Sequence, residues 1–212
     1  MLRIGGTMKE VVCFYLKGRE FGVDVSQMRT IANETTLVPR EGLPAFVKGI
    51  VDIHGEQIPL VDYEQILKIP DNQKRNELRY VVLNVPCGAF AIECDGVSEI
   101  VSVEDSSVQG VPGFFNQDGT NYADCVIQKK NKALVVVINP AGMLTKEQSW
   151  ELKKIIDDIE EERKEAERKR LEEERRRKEE EKRQREEELA RMNEGLESEP
   201  EIKEELQEEE NE

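Results

Sequence analysis

Residues 47–63 read VKGIVDIHGEQIPLVDY, two apolar-rich runs on either side of His54-Gly55-Glu56. Val47, Ile50, Val51 and Ile53 before the break, and Ile58, Leu60 and Val61 after it, suit a pleated, half-buried surface. A glycine at the break allows the left-handed backbone that a tight hairpin needs. The stretch reads as a β-hairpin. Pro59 has no N–H to give to a ladder, which predicts an edge strand or a bulge there. Residues 63–67 read as one helical turn ahead of Pro70.

The same pattern extends in both directions. Upstream, 11–16 and 20–24 are short β-rich runs around Lys17-Gly18-Arg19, a second hairpin. Val25, Met28 and Ile31 lie three apart, which predicts a short helical turn over 25–31. Pro39, Gly42 and Pro44 punctuate a loop. Downstream, the polar connector 71–78 separates this half from another β-rich stretch of similar length. That stretch predicts strands at 80–85, 89–93, 97–103, 125–128 and 134–138. Pro86, Gly88 and Gly96 fall at its turns, and 129–132 form a polar hairpin tip. Many short, closely spaced strands favour closed or nearly closed barrels over a parallel sheet. The expected organisation is a mainly β domain over 8–145, in subdomain halves of about 8–70 and 71–145.

The last third is a different material. The chain has 212 residues and a net charge of -15, and its charge is unevenly placed. From Lys146 onward there are 17 basic and 28 acidic residues, against 14 and 18 before it. Trp150, Leu152, Ile155, Ile156 and Ile159 form a stripe at helical spacing, so the first turns are expected to dock. Beyond Ile159 apolar residues nearly vanish, while helix formers dominate without Gly or Pro up to Gly195. Acid-first pairs four apart, such as Glu160–Lys164, Glu165–Lys169, Glu173–Arg177, Glu174–Lys178 and Glu179–Arg183, can each contribute about 0.2–0.5 kcal/mol. One long charged helix is expected over 146–192, with an acidic, disordered tail over 193–212. The lack of a sustained apolar heptad disfavours a coiled coil.

Composition excludes several functions. No run approaches the roughly 18 apolar residues of a membrane span, and residues 1–10 lack a basic-then-apolar leader, so no direct membrane insertion is expected. Net negative charge argues against nucleic acid or an anionic bilayer as partner. Cys13, Cys87, Cys94 and Cys125 include no CxxC pair and His54 is the sole histidine, so neither a metal nor a cofactor is expected. Buried thiols suit a reducing, cytoplasmic setting.

Phosphate loops, dinucleotide fingerprints and nucleophile elbows are missing. Cys94 precedes Asp95-Gly96, where anionic surroundings would raise a thiol pKa and disfavour a nucleophile. The chain therefore reads as non-catalytic. His54 reads as a turn residue, or as a titratable polar group offered to a partner. Phe114 and Phe115, in a loop after Pro112-Gly113, read as a satellite core cluster or as an exposed protein-binding anchor, the loop favouring the anchor.

Taken together, residues 47–63 resemble the signature of the CheW family of bacterial chemotaxis coupling proteins, with Gly49, Gly55, Pro59 and Asp62 in matching places. EFGVDVSQMRTI at 20–31, LPAFVKG at 43–49, YVVLNVPCGAFAIECDGVSEIVSV at 80–103 and NKALVVVINPAGML at 131–144 continue the likeness in order, covering about residues 8–145.

The resemblance implies two small five-stranded, SH3-like β-barrels on a shared core. It also implies an adaptor that joins chemoreceptor cytoplasmic tips to the regulatory domain of the histidine kinase CheA, at membrane-bound arrays. Carried over by position, receptor contacts fall on Met28 and Thr30 in the turn after the first hairpin, and on Gly49 and His54. Kinase contacts fall on Gln109 and Phe114. His54 stands where the family usually has Arg, Thr30 where an acid is common and Gln109 where Arg is common. Each change removes a fixed charge from a polar contact. The alternative is a divergent scaffold of the same fold, whose charged helix is a spacer in another assembly. A cysteine-dependent enzyme is the third reading, and would show a rapidly labelled thiol.

Overall fold

The computed structural model describes residues 8–68, 78–104, 107–111 and 121–197, with side chains described as far as Met192. The chain divides into two compact units, one ending at Ile159 and the other beginning at Glu160. The first unit opens with β1 (Met8–Leu16), β2 (Arg19–Asp24), a 3-10 turn (Val25–Gln27), β3 (Met28–Ala32) and β4 (Thr36–Val38). It continues through β5 (Val47–Ile53), β6 (Glu56–Val61), α1 (Tyr63–Ile66), β7 (Arg79–Val85) and β8 (Gly88–Cys94). Then come β9 (Gly96–Glu104), β10 (Val108–Gln109), β11 (Ala123–Gln128) and β12 (Leu134–Ile138), followed by α2 (Lys146–Glu197), which runs on into the second unit.

The hairpin turns form where expected. Lys17 and Gly18 (φ +46° and +72°), like His54 and Gly55 (φ +56° and +82°), are two-residue loops in left-handed backbone, whose twist matches that of the flanking strands. Asp52 Oδ1 accepts from Gly55 N at 2.8 Å and steadies the second loop. The helical turn expected over 25–31 is shorter, Val25–Gln27, and Met28 already begins β3. Asp24 caps that turn by accepting from Ser26 N.

The strands form two six-stranded sheets, ordered β10-β11-β12-β2-β1-β9 and β3-β7-β8-β6-β5-β4, and this corrects the expectation of closed five-stranded barrels. The chain changes sheet twice: β1 and β2 lie in the first, β3 to β8 in the second, and β9 to β12 return to the first. Each sheet nevertheless coils around a core of its own. Val11, Cys13, Val103, Cys125, Ile127, Val135 and Val137 fill the first, with Val108 of β10 and Val101 of β9 packed on the same cluster although their strands end the sheet order on opposite sides. Ala32, Val51, Ile53, Ile58, Leu60, Val82 and Ala91 fill the second. A third, larger cluster is shared between the sheets, with Phe14, Leu16, Ile50, Tyr63, Leu83, Phe90 and Ile92 among its members. Alternation along each strand makes this arrangement possible: Val11 and Cys13 of β1 face one core while Val12, Phe14 and Leu16 face another.

Pro59 lies on β6, an interior strand, rather than at an edge. The two-residue loop makes Ile53–Glu56 a hydrogen-bonded pair, so alternation makes Ile50–Pro59 a non-hydrogen-bonded one. The missing N–H therefore faces β8, where the pairing is confined to Leu60–Ala91. A short parallel contact replaces the edge as the place that tolerates proline.

α2 starts at a reciprocal cap. Thr145 Oγ1 accepts from Gln148 N at 3.1 Å and Gln148 Oε1 accepts from Thr145 N at 2.9 Å, so two otherwise orphaned donors are satisfied. Leu152, Ile155, Ile156 and Ile159 are buried in the shared cluster. Trp150 departs from the expected stripe and is 61% exposed, because two residues back from Leu152 is about 200° around the helix. The Lys154 ammonium covers its ring at 3.5 Å.

In the second unit every side chain from Glu160 to Met192 is exposed, and the helix extends to Glu197, five residues past the expected end. Glu160–Lys164, Glu165–Lys169 and Glu174–Lys178 pair as expected. Arg177 and Arg183 turn instead to Glu181 and Glu187, the acids four residues on. With a carboxylate available in both directions, pairs of such small individual value do not dictate the choice.

Candidate functional site

Met28 and Thr30 stand on β3, a strand and not a turn, at the end of the second sheet. The register against β7 steps from Met28–Leu83 to Thr30–Val82, so Arg29 is an extra, bulged residue. Its guanidinium reaches across the sheet: Nη1 donates to Glu56 Oε1 at 2.9 Å and Nη2 to Glu56 Oε2 at 2.5 Å. Glu56 opens β6, directly after the His54-Gly55 loop, and β3 and β6 are three steps apart in the strand order. In a flat sheet that separation would be roughly 14 Å. Coiling of the sheet brings the two together, and with them the segments that carry Met28, Thr30 and His54. His54 is exposed at the tip.

Gly49 lies further along β5, buried beneath Leu37 of β4; a methyl group there would meet Leu37 Cδ1 at 2.6 Å. Leu37 itself is 58% exposed, an apolar side chain at the sheet edge that the sequence reading passed over. Beside Gly49 a second bulge, between Val47–Val61 and Gly49–Leu60, makes Lys48 the extra residue. Lys48 Nζ binds Glu93 Oε2 at 2.6 Å and stands 3.8 Å from Asp62 Oδ1. Burial and the Glu93 carboxylate push the Tyr80 phenol up. Both cations were missed because their partners are far off in sequence, and no local spacing announces such a pair.

Gln109 belongs to the other sheet, exposed on the two-residue β10. Phe114 and its neighbour Phe115 lie outside the described residues. The first sheet has ionic clusters of its own. Lys129 Nζ lies 2.9 Å from Glu20 and 2.6 Å from Glu99, and hydrogen bonds to both carboxylates, Glu99 first, hold the ammonium's pKa well up. Lys9 Nζ lies 3.6 Å from Asp24. Burial alone would raise the Asp24 carboxyl, but Ser26 hydrogen bonds and Lys9 hold it below its ordinary value. Burial raises Asp124.

The thiols are poorly suited to nucleophilic work. Burial pushes Cys13 up to about 11, with Glu20 adding to the effect. Cys87 and Cys125 are raised by burial as well, and Cys94 sits in the shared core. Among the described residues no helix is long and apolar enough to cross a membrane.

Two coiled sheets around a shared core, sealed by the first turns of a C-terminal helix, define a double-sheet β domain. The chain belongs to the CheW-like domain family, whose model matches residues 10–148. In fold it is similar to the scaffolding protein TtCheW from Thermoanaerobacter tengcongensis, with a TM-score of 0.57 at 18% identity, covering 65% of this chain and 92% of that one. In sequence it is similar to the chemotaxis protein CheW of Bacillus subtilis (strain 168), 21% identical over 145 residues, 68% of this chain and 91% of the relative. The chemotaxis protein CheW of Rhizobium meliloti (strain 1021) is 24% identical over 129 residues, 61% of this chain and 83% of the relative.

Proposed function

We propose that this chain is a non-catalytic chemotaxis adaptor of the cytoplasm, coupling chemoreceptor cytoplasmic tips to a CheA-type histidine kinase in membrane-associated arrays. The observation that carries the reading is the CheW-like match over residues 10–148, which spans both sheets. Met28, Thr30, Gly49 and His54 serve the receptor from the second sheet, and Gln109 and Phe114 serve the kinase. That Gln109 lies in the other sheet suits one molecule holding two partners at once. The mechanism is binding: apolar groups supply most of the affinity, while charges at the rim set register and partner choice.

The test is sedimentation of receptor-tip assemblies with the kinase, adding the full chain, its His54→Arg variant and its Gln109→Ala variant. The full chain should pellet with both partners and place kinase activity under receptor control. His54→Arg should strengthen receptor coupling, since it restores a fixed, bidentate charge at a backbone position that already accepts a side chain at φ +56°. Gln109→Ala should weaken kinase recruitment and leave receptor binding alone. A full chain that stays in the supernatant with both partners present would overturn the reading.

A further inference from the structure

We propose that Arg29 and Glu56 are a positioning pair: they hold β3, with Met28 and Thr30, against the His54 hairpin and so build the receptor-facing surface. The inference rests on the receptor-binding reading of that surface, and it adds two residues to it.

Three observations carry it. The contact is bidentate, two parallel charge-assisted bonds that fix orientation as well as distance. Arg29 is the bulged residue of β3, so the strand gives up a ladder position and its side chain is re-aimed. The pair also spans three strand steps, from the end strand β3 to β6, where no backbone bond joins them. An isolated exposed ion pair adds little to global stability. A pair that closes a coiled sheet acts instead on where two strands stand relative to one another. Thr30 directly follows Arg29 in the chain and His54 lies two residues before Glu56, and neither carries a fixed charge. With Arg29 side chain 43% exposed and Glu56 34%, the pair is at the surface it would shape.

The experiment compares the full chain with Arg29→Glu, Glu56→Arg and the double exchange Arg29→Glu/Glu56→Arg. The probe is a purified cytoplasmic-tip fragment of a chemoreceptor from the same organism. Each single exchange sets like charges face to face and should weaken tip binding by about tenfold, with Tm changed by no more than about 3 °C. The double exchange should recover binding to within about threefold, since it restores the bridge with its charges reversed. Hydrogen exchange of the unbound proteins is read in parallel: the single exchanges should speed amides in 28–32 and 53–57, and the double should slow them again.

Single variants that bind like the parent, or a folded double variant as weak as the singles, overturn the proposal. Should either single fail to fold, Glu56→Gln, which removes the charge and keeps the shape, takes its place with the same expectations. If the parent chain binds no receptor tip, the receptor reading fails. The positioning role is then decided by hydrogen exchange alone, and unchanged protection in the single variants sinks it.

Discussion

Lys129 Nζ lies 2.6 Å from a Glu99 carboxylate oxygen, although Lys129 belongs to the β11–β12 turn and Glu99 to β9, three strand steps beyond β12. The same ammonium bonds Glu20 on β2, so one cation gathers three parts of the first sheet over a side chain that is only 9% exposed. Arg29 and Glu56 do the like in the second sheet. Hydrogen bonding leaves both sheets open, and in each an ion pair bridges strands three steps apart.

Replacing Lys129 by Ala should therefore cost more than an ordinary surface change. It leaves Glu20 and Glu99 facing each other without their shared donor, a loss of about 1 kcal/mol with Glu99 half-exposed. Urea unfolding checks this, and Lys129→Ala/Glu99→Gln should be less destabilised than the sum of the single variants. Strict additivity would show that the contact carries no coupling.

Two glycines should respond differently to a methyl group. At Gly22 it would meet Val11 Cγ1 at 2.5 Å and Val135 Cγ1 at 3.4 Å, both in the packed core of the first sheet. Gly22→Ala should destabilise by about 1–3 kcal/mol. At Gly49 the obstacle is the end of the exposed Leu37 side chain, which can turn away, so Gly49→Ala should cost under about 0.5 kcal/mol. Denaturation midpoints would read the contrast, and equal losses would refute it.

Truncation should fail at 145 and succeed at 159. Residues 1–145 lack Leu152, Ile155, Ile156 and Ile159, all buried in the shared cluster. At about 1.5–3 kcal/mol for each buried side chain, the loss is comparable to the whole net stability of a domain. Residues 1–159 keep them, and should melt cooperatively near the full chain's Tm. Calorimetry of the two fragments decides the matter; a cooperative melt of 1–145 at that same temperature would count against it.

Alkaline pH should weaken the fold in part through Cys13. Its thiol is pushed from 9.0 to about 11, chiefly by burial. Because the folded-state value is the higher, the contribution is fully present below pH 9.0 and is lost as pH rises through about 11. Cys13→Ala should flatten the fall in Tm over that window, whatever its effect at neutral pH. In the parent chain Cys13 should react slowly with thiol reagents near neutral pH, since little thiolate forms there. Rapid labelling of Cys13 in the folded state would contradict this.

Much of the fold was legible because its signals are local. The two-residue turns at 17–18 and 54–55, the strand periods and the stripe of α2 all depend on residues within a few positions of one another. Pro59 pointed to an edge or a bulge. The bulge of the β5–β6 pair begins one pair further on, at Gly49–Leu60, while the edge is replaced by a short parallel contact that looks the same from one strand. Met28 and Thr30 were assigned to a turn because a three-residue spacing continued past Gln27, where β7 pairs the chain into a strand. For the candidate site, His54 at an exposed tip was readable, whereas Arg29, Leu37 and Lys48 were not. Their contacts are with residues on other strands.

By itself, the sequence determined a β-rich domain followed by a charged helix, since periodicity, turn chemistry and composition are properties of neighbouring residues. It also carried the order of motifs that places the chain among CheW-like domains. Only the tertiary structure decided that strands β1 and β2 pair with β9 to β12, that six strands and not five make each sheet, and that cations at bulges cross the coil. A pairing as distant as Met8 with Glu104 is settled by which apolar faces can be buried together, and that competition involves the whole chain at once.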